Sequence, residues 1–204
     1  MKFNSSYNTT NVNYNFMRNN MVFSKKNLAQ ITKSNNIIVE DKTSLSNDAP
    51  TEDGRSRWGP SIWYLFHTLS YKIKEEEFLN IRIELLDIVK AICKHLPCPS
   101  CAQHATEYTQ KLNYDSIQNK NDFKMFLFNF HNDVNKRTGK PIFSLEDSDK
   151  KYESANTLNI IKNFINVFQY KSGSFNMIAN DMQRQRQIDL IKVWFNSNIQ
   201  KFDA

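Results

Sequence analysis

Apolar residues recur along this chain at spacings of three and four, and strict alternation is rare. That period belongs to amphipathic helices and predicts an all-α protein. A first helix begins at Trp58-Gly59-Pro60-Ser61, where proline suits the first turn. Trp63, His67 and Tyr71 follow at i, i+4 and i+8 and share one face. This row suits a flat ring system, and equally a packed core with one hydrogen-bonded histidine. A second helix opens on Glu75-Glu76-Glu77, where the helix dipole favours acid, and continues through Phe78, Ile81, Leu85, Ile88, Val89, Ile92 and Leu96. A third runs from about Pro99 to Lys111 and carries His104 and Tyr108. A fourth runs from about Asp122 to Thr138, capped by Asp122 or Asn121 and ended by Gly139 and Pro141, with Phe123, Phe126, Leu127 and Phe130 as its stripe. A short piece from Ser144 to Tyr152 precedes helices at about 155–170 and Ile178–Ile199, with Lys171-Ser172-Gly173-Ser174 between them. The last carries Leu190, Ile191, Trp194 and Phe195, and its Arg184-Gln185-Arg186 run reads as a solvated face.

Composition divides the chain. Residues 1–54 are rich in Asn, Ser and Thr with few clustered apolar positions, a composition that builds no core and reads as a flexible extension ending in a linker. Residues 55–153 form the domain, and 154–204 a helical C-terminal extension. No apolar run reaches the length of about 18 residues that a membrane span needs, and no apolar stretch of a signal peptide follows Met1. The absence of acid before Glu40 resembles a transit peptide, but arginine is nearly absent there and no clean amphipathic helix shows. The net charge of +6 comes from scattered cations, which speaks for a solvated surface and against a nucleic-acid-binding module.

The chain has 3 cysteines, and two of them stand as Cys98-Pro99-Ser100-Cys101. Two thiols at this spacing close a small redox disulfide or supply half of a zinc site, with His104 and His95 as further ligands. The pair sits at a helix start, where the dipole favours thiolate by only about 0.3–1 kcal/mol. That is well under one pKa unit, so redox use calls for a further electron acceptor. His131 and Asn135 stand at i, i+4 on the fourth helix, and Asn132 to Lys140 bring amides and cations together, suited to an anionic, hydrogen-bond-rich ligand. A thioredoxin-like protein would need strands around the motif.

Three strings then coincide: Trp58-Gly59-x-x-x-Trp63-x-x-x-His67, Pro97-Cys98-x-x-Cys101, and His131-Asn132-x-Val134-Asn135-x-Arg137-x-Gly139-Lys140-Pro141. Together they resemble the FAD-linked sulfhydryl oxidases of the Erv/ALR type over roughly residues 55–153. With His104, Ala105 and Tyr108 after the cysteines, the version is most similar to members from large nucleocytoplasmic DNA viruses. The resemblance implies a four-helix bundle with a short fifth helix holding FAD. It implies a cofactor site built from Arg57, Trp58 and Gly59 at the first helix entrance, Trp63 and His67 on its face, and His131, Asn132, Val134 and Asn135 on the fourth helix. Lys140 falls near the phosphates and Tyr152 by the adenine; Tyr71 joins from the helical face. Cys101 is implied beside the flavin as the charge-transfer thiolate, and Cys98 as the exposed sulfur that a dithiol partner attacks. Electrons then reach O2, giving H2O2, and no metal is needed. Family members often carry a second redox pair on a tail. Here only Cys93 remains, expected to be a buried structural thiol, so a separate dithiol relay or substrate protein is expected to dock at Cys98. The resemblance further implies a homodimer acting in the host cytoplasm and virus particle rather than between mitochondrial membranes.

Overall fold

A computed structural model of the chain describes residues 55–169, 171 and 175–204. The N-terminal extension and its linker, and nearly all of the Lys171–Ser174 break, lie outside the described residues. Among the described residues there are seven α-helices and no strand: α1 (Arg55–Lys72), α2 (Glu75–Lys94), α3 (Pro99–Gln110), α4 (Lys120–Arg137), α5 (Leu145–Tyr152), α6 (Thr157–Phe168) and α7 (Ile178–Asn198). None is long and apolar enough to cross a membrane.

Local chemistry sets the ends that matter for the site. Cys98 is the N-cap of α3 in extended conformation, and Pro99 occupies the first turn. The N-cap of α4 is Asn119, not Asp122 or Asn121 as expected from the sequence. Asn119 accepts from the Asp122 N–H while the Asp122 side chain accepts from the Asn119 N–H, a reciprocal capping box that needs both residues. At the other end Gly139 takes φ 67°, and the N–H groups of Gly139 and Lys140 donate to Lys136 and Asn135 at 3.4 and 2.9 Å. This pair of bonds is a Schellman cap, and it turns Lys140 back beside the helix it ends. Helix α1 starts at Arg55, so Pro60 lies inside it rather than in its first turn.

Helix α1 is the central element. It packs on α4 and the short α5 on one side and, most extensively, on α6 on another, while α2 pairs with α3 and touches α7. Leu65 and Leu69 of α1, Ile73 just after it, and Leu85 and Ile92 of α2 are fully buried, as are Phe123 and Leu127 of α4. The C-terminal extension covers the bundle. Ile161, Phe164, Ile165 and Phe168 form the buried row of α6, and Ile188, Ile191, Trp194 and Phe195 that of α7. Trp194 Nε1–H donates to Glu84 Oε2 at 2.6 Å, tying α7 to α2. The chain end is sewn to the α1–α2 turn: Asp203 N–H donates to Lys72 O at 2.7 Å and Lys74 N–H to Lys201 O at 3.0 Å.

Arg184 corrects a sequence expectation. It is buried at 3% exposure rather than solvated; its Nε–H donates to Phe168 O at 3.0 Å, and its guanidinium pairs with Asp181. An arginine with its hydrogen-bonding groups met in this way can be carried inside. The extension therefore belongs to the folded core. Phe164→Ala is expected to lower the unfolding free energy by about 3–5 kcal/mol in a urea titration; a loss below about 1 kcal/mol would contradict the packing of α6 on α1.

Candidate active site

Helices α1 to α5 line a cavity of about 440 Å³, within the size range of cofactor sites. Its walls are flat. The Trp63 indole stacks on the His131 imidazole at 4.1 Å and 10° between planes. Behind them His67 stacks on Tyr152 at 4.6 Å and 20°. The two imidazoles join these stacks, with His67 Nε2 2.9 Å from His131 Nδ1. Phe130 meets Trp63 edge-on at 5.2 Å and closes the apolar side.

Burial decides the charge state of this layer. Desolvation first, then the neighbouring His131 and Lys151, lowers His67 to about 3. Desolvation, then Lys151 and Lys140, lowers His131 to about 4. Both rings are therefore neutral at pH 7, and one donates its N–H to the other. His67 Nδ1 is buried with no hydrogen-bond partner. Burial likewise raises the Tyr152 phenol.

Cys98 and Cys101 are joined as a disulfide, with their Cα atoms 5.2 Å apart. Cys101 N–H donates to Cys98 Sγ and Ser100 Oγ lies beside it, each at 3.3 Å. Cys101 is on the cavity wall and Cys98 is not. Cys93 also reaches the wall; it is a free thiol, 1% exposed, with its pKa raised by burial, and so it is inert as a nucleophile. Among the described residues no three His, Cys, Asp or Glu side chains gather as metal ligands.

The remaining expected residues divide. Trp58, Gly59, Trp63, His131, Val134, Asn135, Lys140 and Tyr152 line the cavity. His67 stands one layer behind it. Asn132 points elsewhere: its amide donates to Phe143 O at 2.9 Å and accepts from Phe143 N–H at 2.8 Å, fixing the loop after α4. Tyr71 lines a separate cleft with Lys124 and Asp149, where its hydroxyl donates to Asp149. Arg57 belongs to α1, but its side chain lies outside the described residues. The sequence reading assigned no role to Arg137 and Lys151, which add cations to the wall, and did not place His104 on it. Lys151 had no motif to reveal it; its proximity follows only from the docking of α5.

The arrangement suits a planar, anionic cofactor. A Cβ at Gly59 would meet no protein atom within 4 Å, so a glycine there keeps cavity volume open beside the stacked rings. The cations Arg137, Lys140 and Lys151 gather on the same wall, as phosphates require.

A sequence model of the Erv1/Alr family matches residues 60–153, the stretch that holds both cysteines and most of the cavity. A FAD-linked sulfhydryl oxidase of African swine fever virus is 32% identical over 105 residues, which are 52% of this chain and 87% of that protein. The chain belongs to the Erv1/Alr family. Similarity extends to plants: the FAD-linked sulfhydryl oxidase ERV1 of Oryza sativa is 32% identical over 85 residues, 42% of this chain and 43% of that one. No solved structure matches. The family match ends before α6, so the two helices that cover the bundle lie outside the matched stretch.

The neutral imidazoles make stability depend on pH. Their folded pKa values lie below the ordinary 6.5, so the unfolded chain binds more protons below that pH. Their contribution is complete above about pH 6.5 and is lost as pH falls toward 4 and 3. The slope from two such sites is at most about 2.7 kcal/mol per pH unit. Urea midpoints between pH 7 and 5 should fall with pH, and less steeply in His131→Phe; an unchanged slope in that variant would contradict a neutral buried imidazole.

Proposed function

We propose that this protein is an FAD-dependent sulfhydryl oxidase that makes disulfides in dithiol proteins and passes the electrons to O2, giving H2O2. One observation carries the reading: a redox-capable cysteine pair whose second member forms part of the wall of a flat, cation-rimmed cavity. The printed names of the family relatives support the same chemistry.

Trp58, Trp63, His131 and Tyr152 hold the cofactor's rings between flat faces, while Lys140, with Arg137 and Lys151, meets its phosphates. Gly59 leaves it room, and Val134 and Asn135 complete the α4 wall. The remaining expected residues act around this wall: His67 braces His131, Asn132 fixes the loop that carries Lys140, and Arg57 and Tyr71 stay candidates for its edges. The bound flavin supplies the two-electron acceptor that a cysteine pair alone lacks.

The chain's own part is thiol–disulfide exchange. A partner thiolate attacks Cys98, the bond to Cys101 breaks, and Cys101 leaves as thiolate at the first turn of α3, where the helix dipole favours the anion. The partner's second thiol then releases Cys98 and completes the partner's disulfide. Apart from Cys98 and Cys101 only the buried Cys93 remains, so the chain has no pair of its own to act as shuttle, and a separate dithiol protein docks at Cys98. The viral relatives support action in the host cytoplasm and virus particle. A homodimer, if formed, uses a surface other than the face of α1 that α6 covers.

Oxygen uptake with dithiothreitol tests the roles. Cys101→Ser and Cys98→Ser should each reduce it to background, and Cys93→Ser should keep most of it. Retained turnover in Cys101→Ser would overturn the assignment, and a large loss in a folded Cys93→Ser would make that thiol a redox participant.

A further inference from the structure

His104 lies one turn after Cys101 on α3 and shares the cavity wall with it. Residues three apart on a helix have Cβ atoms about 5–6 Å apart. Helical side chains lean toward the N-terminus, which for His104 is the direction of the turn that carries Cys101. Across the α3–α4 contact its Nε2 is 3.1 Å from Asp133 Oδ2. With Nε2 facing that carboxylate, Nδ1 is the nitrogen left to take a proton. An imidazole held by a carboxylate beside a sulfur is the arrangement that general-base chemistry uses on other folds.

Three other groups on this wall are poorly suited to the task. His131 on α4 is lowered by burial, and Tyr152 on α5 and Cys93 on α2 are raised by it, so none exchanges a proton readily at pH 7. Arg137, Lys140 and Lys151 on the same wall are the cations already given to the cofactor.

We propose that His104, oriented by Asp133, takes the proton released when the Cys98–Cys101 disulfide is opened and holds Cys101 as thiolate. The proposal rests on the reading of these cysteines as the redox pair. When a partner thiol gives up its proton and attacks Cys98 Sγ as thiolate, a new sulfur–sulfur bond to the partner forms and the Cys98–Cys101 bond breaks. The electron pair of the broken bond stays on Cys101 Sγ. The thiol proton goes to His104 Nδ1, and the resulting imidazolium is balanced by Asp133. Asp133 is a positioning residue: it acts through His104.

The test uses Cys98→Ser, since serine keeps a good N-cap on α3 and leaves Cys101 as the accessible thiol. The rate of iodoacetamide alkylation is followed against pH in the flavin-free protein, and the long-wavelength absorbance of the thiolate in the flavin-loaded one. Adding His104→Gln should slow alkylation at pH 7 about tenfold and move the midpoint up by about one unit. Asp133→Asn should move it the same way by less. An unmoved midpoint in His104→Gln overturns the proposal, and an unmoved midpoint in Asp133→Asn alone overturns the part given to Asp133. A chain that takes up no flavin and turns over no dithiol, yet shows both shifts in alkylation, would end the functional reading and leave this one standing.

Discussion

The layer of four rings between α1 and its neighbours is the constraint on which the site depends. Trp63 on His131 and His67 on Tyr152 join α1 to α4 and α5 through stacked faces, and the 2.9 Å contact between the imidazoles locks the two stacks together. Because both rings are buried they are neutral, and neutral rings can sit within hydrogen-bond distance without mutual repulsion. The cavity is the space left on the open side of this layer. Cys101 in the first turn of α3 lines the same cavity, and so no loop has to carry the sulfur there.

Around that layer the chain spends its polar chemistry on ends and loops. A reciprocal cap starts α4, a Schellman motif ends it, and Asn132 grips Phe143 just beyond. The last two devices fix the stretch from Arg137 to Phe143 and so set where Lys140 stands. Behind α1, helices α6 and α7 bury a face that the family match does not account for, and the chain end is hydrogen-bonded to the α1–α2 turn. The cavity and this added layer lie against different neighbours of α1, which lets the extension support the helix without touching the chemistry.

Much of this was readable from spacing alone. Apolar residues three and four apart marked α2, α4, α6 and α7, because helix period and burial are local in sequence, whereas α3 and the short α5 carry no such stripe. The residues that line the cavity on α1 and α4 were found through motifs whose members lie a turn apart. Tyr71 lines a neighbouring cleft for a geometric reason: eight residues along a helix is about 80° around it, so it shares less of the Trp63 face than i+8 suggests. Asn132 adjoins His131 but is turned about 100° from it, toward the loop rather than the cavity. Arg184 and the His104–Asp133 pair were illegible because each depends on a partner set by tertiary packing: the Phe168 carbonyl in one case, a helix crossing in the other. The Asn119 cap was missed by two residues for want of noticing its reciprocal bond with Asp122.

The central claim is that the cavity beside Cys101 holds a flavin. The most direct measurement is the visible absorption spectrum of the purified protein, before and after heat releases any cofactor. The account predicts a yellow protein with close to one flavin per chain, identified as FAD after release. A folded, colourless chain that takes up no added FAD would contradict it.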